Sequence, residues 1–189
     1  MTTIKMLRLL LAFLIMLPAS GRAGLLPPIN DEGALAEQDR SAPVVIYNRS
    51  YNAPCFADYV PDVEEVLAPF VLRMARNEYE PMQVALYVPS GAAPLQDVHV
   101  KVCADIPSRI GHIYYQPKEE LDWVADLEVD RGKPWEGKRD VLPQFVIPKG
   151  RIATIEPTRN GVFWITFKTD ETISPGLHRG TVEVYASAR

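Results

Sequence analysis

The stretch "NGVFWITFKTD" at residues 160–170 limits the possible folds more than any other part of the chain. Phe163, Ile165 and Phe167 alternate with Val162, Trp164 and Thr166. A two-residue period suits a strand with one buried face and does not suit a helix. The same texture recurs from Pro43 onward. "PVVIYN" reads as a first strand, and Val66, Ala68, Phe70, Leu72 and Met74 alternate next. Met82, Val84, Leu86 and Val88 follow a polar corner, then Val98, Val100 and Val102, then "RIGHIYYQP". "VLPQFVIP" carries prolines that fit an edge strand, and "GTVEVYA" places Val182, Val184 and Ala186 on one face.

Seven or eight short alternating runs separated by turn residues predict an all-β fold, an immunoglobulin-like antiparallel two-sheet β-sandwich. One long irregular insertion, residues 116–140, interrupts it. The best helical spacing is Val63, Val66 and Leu67 in "PDVEEVLA", which Pro69 cuts short.

The N-terminus has a different character. Lys5 and Arg8 precede the apolar run Leu9 to Leu17, followed by Pro18 and the small residues Ala19, Ser20, Gly21 and Ala23. This is the charge, apolar length and cleavage pattern of a secretory signal peptide. The run is shorter than the roughly 20 residues of a membrane-spanning helix; an uncleaved anchor is the alternative. The predicted organisation is a signal peptide at 1–23, a linker or flexible arm at 24–42 and a β-sandwich domain at 43–189. The product is expected to be secreted or periplasmic, with no membrane association after cleavage.

Charge narrows the partners. The full chain has a net charge of −4, and residues 1–23 hold three basic residues and no acidic one, so cleavage leaves −7. An acidic chain without a basic cluster is poorly suited to nucleic acid, whose binding depends on Lys and Arg. Two cysteines, Cys55 and Cys103, form a possible disulfide in an oxidising compartment, worth about 4 kcal/mol on a chain-entropy model. Against it, the Val98–Val100–Val102 alternation puts Cys103 on the opposite strand face with His99 and Lys101.

Motifs for chemistry are scarce. His99, His112 and His178 are isolated, without metal-ligand spacing, so no metal is expected. No nucleophile elbow, Walker loop or dinucleotide fingerprint occurs, and no cofactor is implied. Carboxylates such as Glu64, Glu65, Glu119, Glu120, Asp122, Asp126, Glu128 and Asp130 read as solvated surface, because glycoside hydrolysis needs two carboxyls held across a sugar. No catalytic residue is assigned. Trp123 and Trp135, with Tyr114 and Tyr115, form a candidate ligand-binding set, since aromatic faces suit sugar rings. Their structural reading is a cover for one end of the sandwich or a dock for a neighbouring domain. Trp164 and Val162 fall on the face opposite Phe163 and Ile165, which points to a second covered surface. The corner "ARNEYEPMQVAL" places Arg76, Asn77, Glu78, Glu80 and Gln83 between alternating runs. It reads as a structural corner in which Asn77 tolerates left-handed backbone and Arg76 can pair with Glu78 or Glu80.

This corner, followed about eighty residues later by "NGVFWITFKTDETISPGLHRGTVEV", resembles the N-terminal β-sandwich domain of secreted glycoside hydrolase family 123-like proteins. Arg76, Asn77, Glu78, Tyr79, Glu80 and Gln83 match the opening motif; Trp164, Pro175, Gly176, Gly180 and Val184 match the closing one. The resemblance covers roughly residues 43–186. His178 departs from it, standing where the pattern has a Tyr that can lock the corner to backbone. The resemblance implies action on β-linked N-acetylhexosaminides by a substrate-assisted Asp-Glu pair housed in a following (β/α)8 barrel. Residues 1–189 contain no sequence expected of such a barrel. The expectation is therefore a non-catalytic accessory sandwich whose partner is a catalytic barrel domain. The other expectation is a free-standing exported module that binds glycan or protein.

Overall fold

A computed structural model describes residues 3–6, 35–117 and 141–188. Its strands are β1 (Thr3–Met6), β2 (Val45–Arg49), β3 (Tyr79–Tyr87), β4 (Leu95–Ala104), β5 (Ser108–Pro117), β6 (Val141–Ile147), β7 (Arg151–Ile155), β8 (Asn160–Lys168) and β9 (Gly180–Ala188). They form two sheets, ordered β1-β9-β4-β7 and β2-β3-β8-β5-β6, and every pairing is antiparallel. The fold is the all-β sandwich that the alternation predicts.

The period-two pattern decides what lies between the sheets. Met82, Val84, Leu86 and Val88 from β3 and the strand end beyond it meet Phe163, Ile165 and Phe167 from β8. Val98 and Val100 of β4 and Val182 and Val184 of β9 close the layer from the smaller sheet. β6 takes the edge of the larger sheet, as its prolines suggest. In β4 the register shifts between Gln96 and His99, where Asp97 adopts a left-handed φ of 54°. The valines after this bulge still face inward, and Cys103 stays on the exposed side.

A second core covers the other face of the larger sheet. Val45 and Tyr47 of β2, Ala85 and Tyr87 of β3 and Val162 of β8 lie beneath Cys55, Phe56, Tyr59 and Val60. The irregular excursion between β2 and β3 thus forms a third layer over part of that sheet. This accounts for Val162, fully buried although it alternates away from the main core.

Two local expectations are corrected. The run 66–74 is not a strand; its only ladder contact is the isolated bridge of Val66 to Tyr47. Val66 packs on the second core, whereas Phe70 and Leu72 are buried in the first. Leu67, at φ 52°, reverses the alternation between them and carries the chain from one core to the other. The stretch "PDVEEVLA", which Pro69 was expected to cut short, forms no helix. Its backbone turns at 63–65, and bonds run across to β2, Asn48 N–H to Glu65 O (3.1 Å) and Leu67 N–H to Ile46 O (3.0 Å). The described end of the proposed arm, 35–42, is ordered against the domain. It contains the single helical turn α1 (Glu37–Arg40), and Leu35 is buried in the second core. Residues 24–34 lie outside the described residues.

Candidate functional site

Two arrangements stand out: a polar network under the excursion and an apolar groove at one end of the sandwich. The network starts with Arg49, the last residue of β2. Alternation puts it on the same face as Val45 and Tyr47, so a guanidinium is drawn into the second core. Its Nη1 pairs with Glu65 Oε1 at 2.8 Å, its Nε–H donates to Pro54 O at 3.1 Å, and its carbon lies 4.0 Å over the Tyr59 ring. The Tyr59 hydroxyl donates to Glu65 Oε2 at 2.7 Å. A buried charge is tolerated only when paired and bonded in this way.

Asn160 is the second anchor. Its Nδ2 donates to the carbonyls of Tyr59 (2.5 Å) and Phe56 (3.0 Å), and its Oδ1 accepts the Tyr47 hydroxyl at 2.8 Å. Because Tyr47 spends its proton on Asn160, the Cys55 thiol is the donor in the 3.0 Å contact between Cys55 Sγ and Tyr47 Oη. Burial pushes the Cys55 thiol up to about 11, against the lowering pull of the Arg49 charge. Burial likewise raises the phenols of Tyr47 and Tyr115. A protonated thiol without an activating base is a packing group and not a nucleophile. The network fastens the excursion to the sheet.

The groove, of about 740 Å³, lies between the segment Leu72–Arg76 and the turn running from Asp170 to His178. Leu72, Met74, Ile106, Ile173 and Leu177 make it largely apolar, with Arg76 at its rim. Its two walls are tied together by Thr169. The Thr169 hydroxyl donates to Ala75 O (2.5 Å) and accepts from Glu78 N–H (3.1 Å), and Thr169 N–H donates to Glu78 O (3.0 Å). Glu78 accepts the Ala75 amide through Oε2. Asn77 adopts the left-handed φ expected of it, 59°. On the opposite wall Gly176 has φ 149°, and His178 Nε2–H donates to Ser174 O at 2.8 Å. The imidazole therefore locks the turn to backbone. Asp170 is the groove's one carboxylate among the described residues; bonds from the Thr172 hydroxyl and amide hold its carboxyl below the usual range.

The other sequence candidates fall in different places. Tyr115 is drawn into the second core, where its hydroxyl donates to Cys55 O at 2.8 Å. Tyr114 alternates to the other face of β5, so the two tyrosines do not make one platform. Trp123 and Trp135 lie outside the described residues. Gln83 is buried, with Nε2 donating to Ser50 O and Ala53 O; its Oε1 is without a partner among the described residues. Glu80 lies in β3 opposite Phe167, and Arg76 is exposed. Cys55 and Cys103 are free, one buried and one exposed, so the possible bridge is not formed in this structure. The phase of β4 already argued for that outcome. Sequence reading passed over Arg49, Tyr59 and Asn160, and its placing of Glu65 on the solvated surface is corrected by the Arg49 and Tyr59 contacts. The signal was available for Arg49, which shares the alternation of an otherwise apolar strand face.

Neither family models nor curated proteins give a match to this chain. Among solved structures, a family 123 glycoside hydrolase from Clostridium perfringens, described for glycolipid glycan hydrolysis, aligns with a TM-score of 0.43 and 16% identity. The alignment covers 59% of this chain and 19% of that one, a weak fold-level link on which no residue role is carried across.

Proposed function

We propose that this chain is a non-catalytic accessory β-sandwich of a secreted glycoside-hydrolase-like protein, and that its end groove seats the catalytic domain. One observation carries the reading. The two sequence segments that resemble the glycoside hydrolase family meet at the same apolar groove, which Ala75 and Arg76 of the corner line on one side and the turn at Ser174–His178 lines on the other. The groove offers one carboxylate, already bonded to Thr172, where glycoside hydrolysis uses two. Its apolar lining suits packing against another protein surface. The leader pattern at 1–23 supports export, and cleavage there removes the edge strand β1 (Thr3–Met6) and leaves the β9-β4-β7 ladder.

The test starts from the coding DNA that follows Arg189. A barrel encoded there in frame, or as a separate product, is expressed together with this chain, and the pair should co-purify. Leu177→Asp, an exposed residue of the groove wall, should weaken the pair or the fused enzyme's thermal stability. The isolated chain should release no chromophore from aryl N-acetylhexosaminides, and its exported form should begin at Gly24. Absence of barrel-coding sequence in every frame, or turnover by the chain alone, would overturn the proposal.

A further inference from the structure

Among the described residues, the third layer covers the β2 side of the larger sheet's outer face and leaves the Tyr79–Lys168 end open. The ladder fixes the remainder row by row. Arg49, Gln83, Trp164 and Gly111 share one row; Pro81, Thr166 and Arg109 share the next; Tyr79 and Lys168 share the last. Trp164 is half-buried, Arg109 and Lys168 are exposed, and Tyr79 is 54% exposed with Lys168 Nζ 5.4 Å from its ring centre. These rows carry no carboxylate, in a chain whose net charge is −4. Arg49 is paired with Glu65, whereas Arg109 has no ion pair among the described residues. Tyr79 and Trp164 are four residues apart in register, about 13 Å along the strand direction.

We propose that this open end of the face binds a carboxylated sugar chain, with Trp164 and Tyr79 taking the ring faces and Arg109 the carboxylate. The two aromatics offer rigid apolar area, and a guanidinium matches a carboxylate with paired donors. Lys168 adds a second positive charge, shared with Asp170 in the loop that follows it. The setting disfavours the other anionic partners. β8 is paired on both sides, by β3 and β5, so an extended peptide finds no free backbone edge there. Two flanking cations fall short of the clusters of four or more that hold anionic lipid. The proposal does not depend on what occupies the end groove. A chain that assembles with a barrel yet ignores acidic glycan, or the reverse, separates the two readings.

Affinity electrophoresis of the full chain tests it, in gels containing polygalacturonate or polysialic acid, with methyl-esterified polygalacturonate and polyglutamate as controls. At least one acidic polysaccharide should retard the protein, and neither control should. Arg109→Ala should weaken retardation about tenfold, the equivalent of one charged hydrogen bond, and Arg109→Lys should fall between. Trp164→Ala should weaken it similarly. If that variant melts early, Tyr79→Ala, at an exposed ring, replaces it as the aromatic test. Retardation by neither acidic polymer, equal retardation by polyglutamate, or an unaltered Arg109→Ala protein would each overturn the proposal.

Discussion

Replacing Asn160 by Ala tests whether one side chain holds the third layer in place. The amide gives a hydrogen bond to each of two carbonyls in the excursion, Tyr59 O and Phe56 O, and accepts one from Tyr47. Truncation removes all three, at about 1 kcal/mol net each. Phe56 O keeps a bond from Tyr59 N–H, and Tyr47 keeps its contact with Cys55, so Tyr59 O is the one group left stranded. An orphaned buried carbonyl adds about 1 to 3 kcal/mol. The expected loss is about 4 to 6 kcal/mol, a large share of the 5 to 15 kcal/mol typical of a domain. In urea, at a slope of about 2 kcal/mol/M, the midpoint should fall by about 2 to 3 M. Limited proteolysis should then cut first between residues 50 and 66. Val63→Ser, at a position 57% exposed, is the matched control and should move the midpoint little. A loss below about 1 kcal/mol with unchanged proteolysis would refute the reasoning, because the excursion would then be held by its apolar contacts alone.

Two further outcomes follow from groups placed by the same fold. The Cys55 thiol ionises near 9.0 when unfolded and at about 11 in the folded protein, so the native state holds its proton more tightly. Its contribution is fully present below about pH 9 and is lost as pH rises toward about 11; Tyr47 and Tyr115 shift in the same direction. Melting temperature should therefore drop steeply in that alkaline window. A thiol reagent at neutral pH should label Cys103 at once and Cys55 only on unfolding, and equal labelling of both would contradict the burial. At the corner, Asn77→Ala should cost about 1 kcal/mol and Asn77→Gly little, since φ is 59° there; equal losses in chemical denaturation would show that the left-handed backbone is not the constraint.

Much of the architecture was legible because β-burial repeats every second residue. The inward sets of β3, β8 and β9 could be read directly, and Val162 already signalled a covered outer face. The failures occur where that rule is interrupted. Leu67 reverses the side-chain phase with one left-handed residue, so Val66 and Phe70 reach different cores although four residues apart. Nothing in residue order brings Glu65 to Arg49 or Asn160 to Tyr59, since irregular backbone has no period to extrapolate. The corner was legible because its backbone demand is local to Asn77. Its role as a groove wall was not, because the opposite wall comes from the Asp170–His178 turn about a hundred residues later. Tyr115 shows the limit of composition: aromatics adjacent in sequence need not share a face.

The covered outer face also bears on how the molecule opens. Among the described residues, β3 and β8 lie at the heart of a sheet packed against side chains from both directions, whereas β4 and β9 are packed from one. Amide hydrogen exchange should accordingly divide the chain into two cooperative units. Protons on Val84, Phe163 and Ile165 should exchange only through global unfolding, and those of the β4–β9 sheet should exchange through a cheaper, partial opening. The larger sheet and its excursion would then persist as a folded remnant after the smaller sheet has detached.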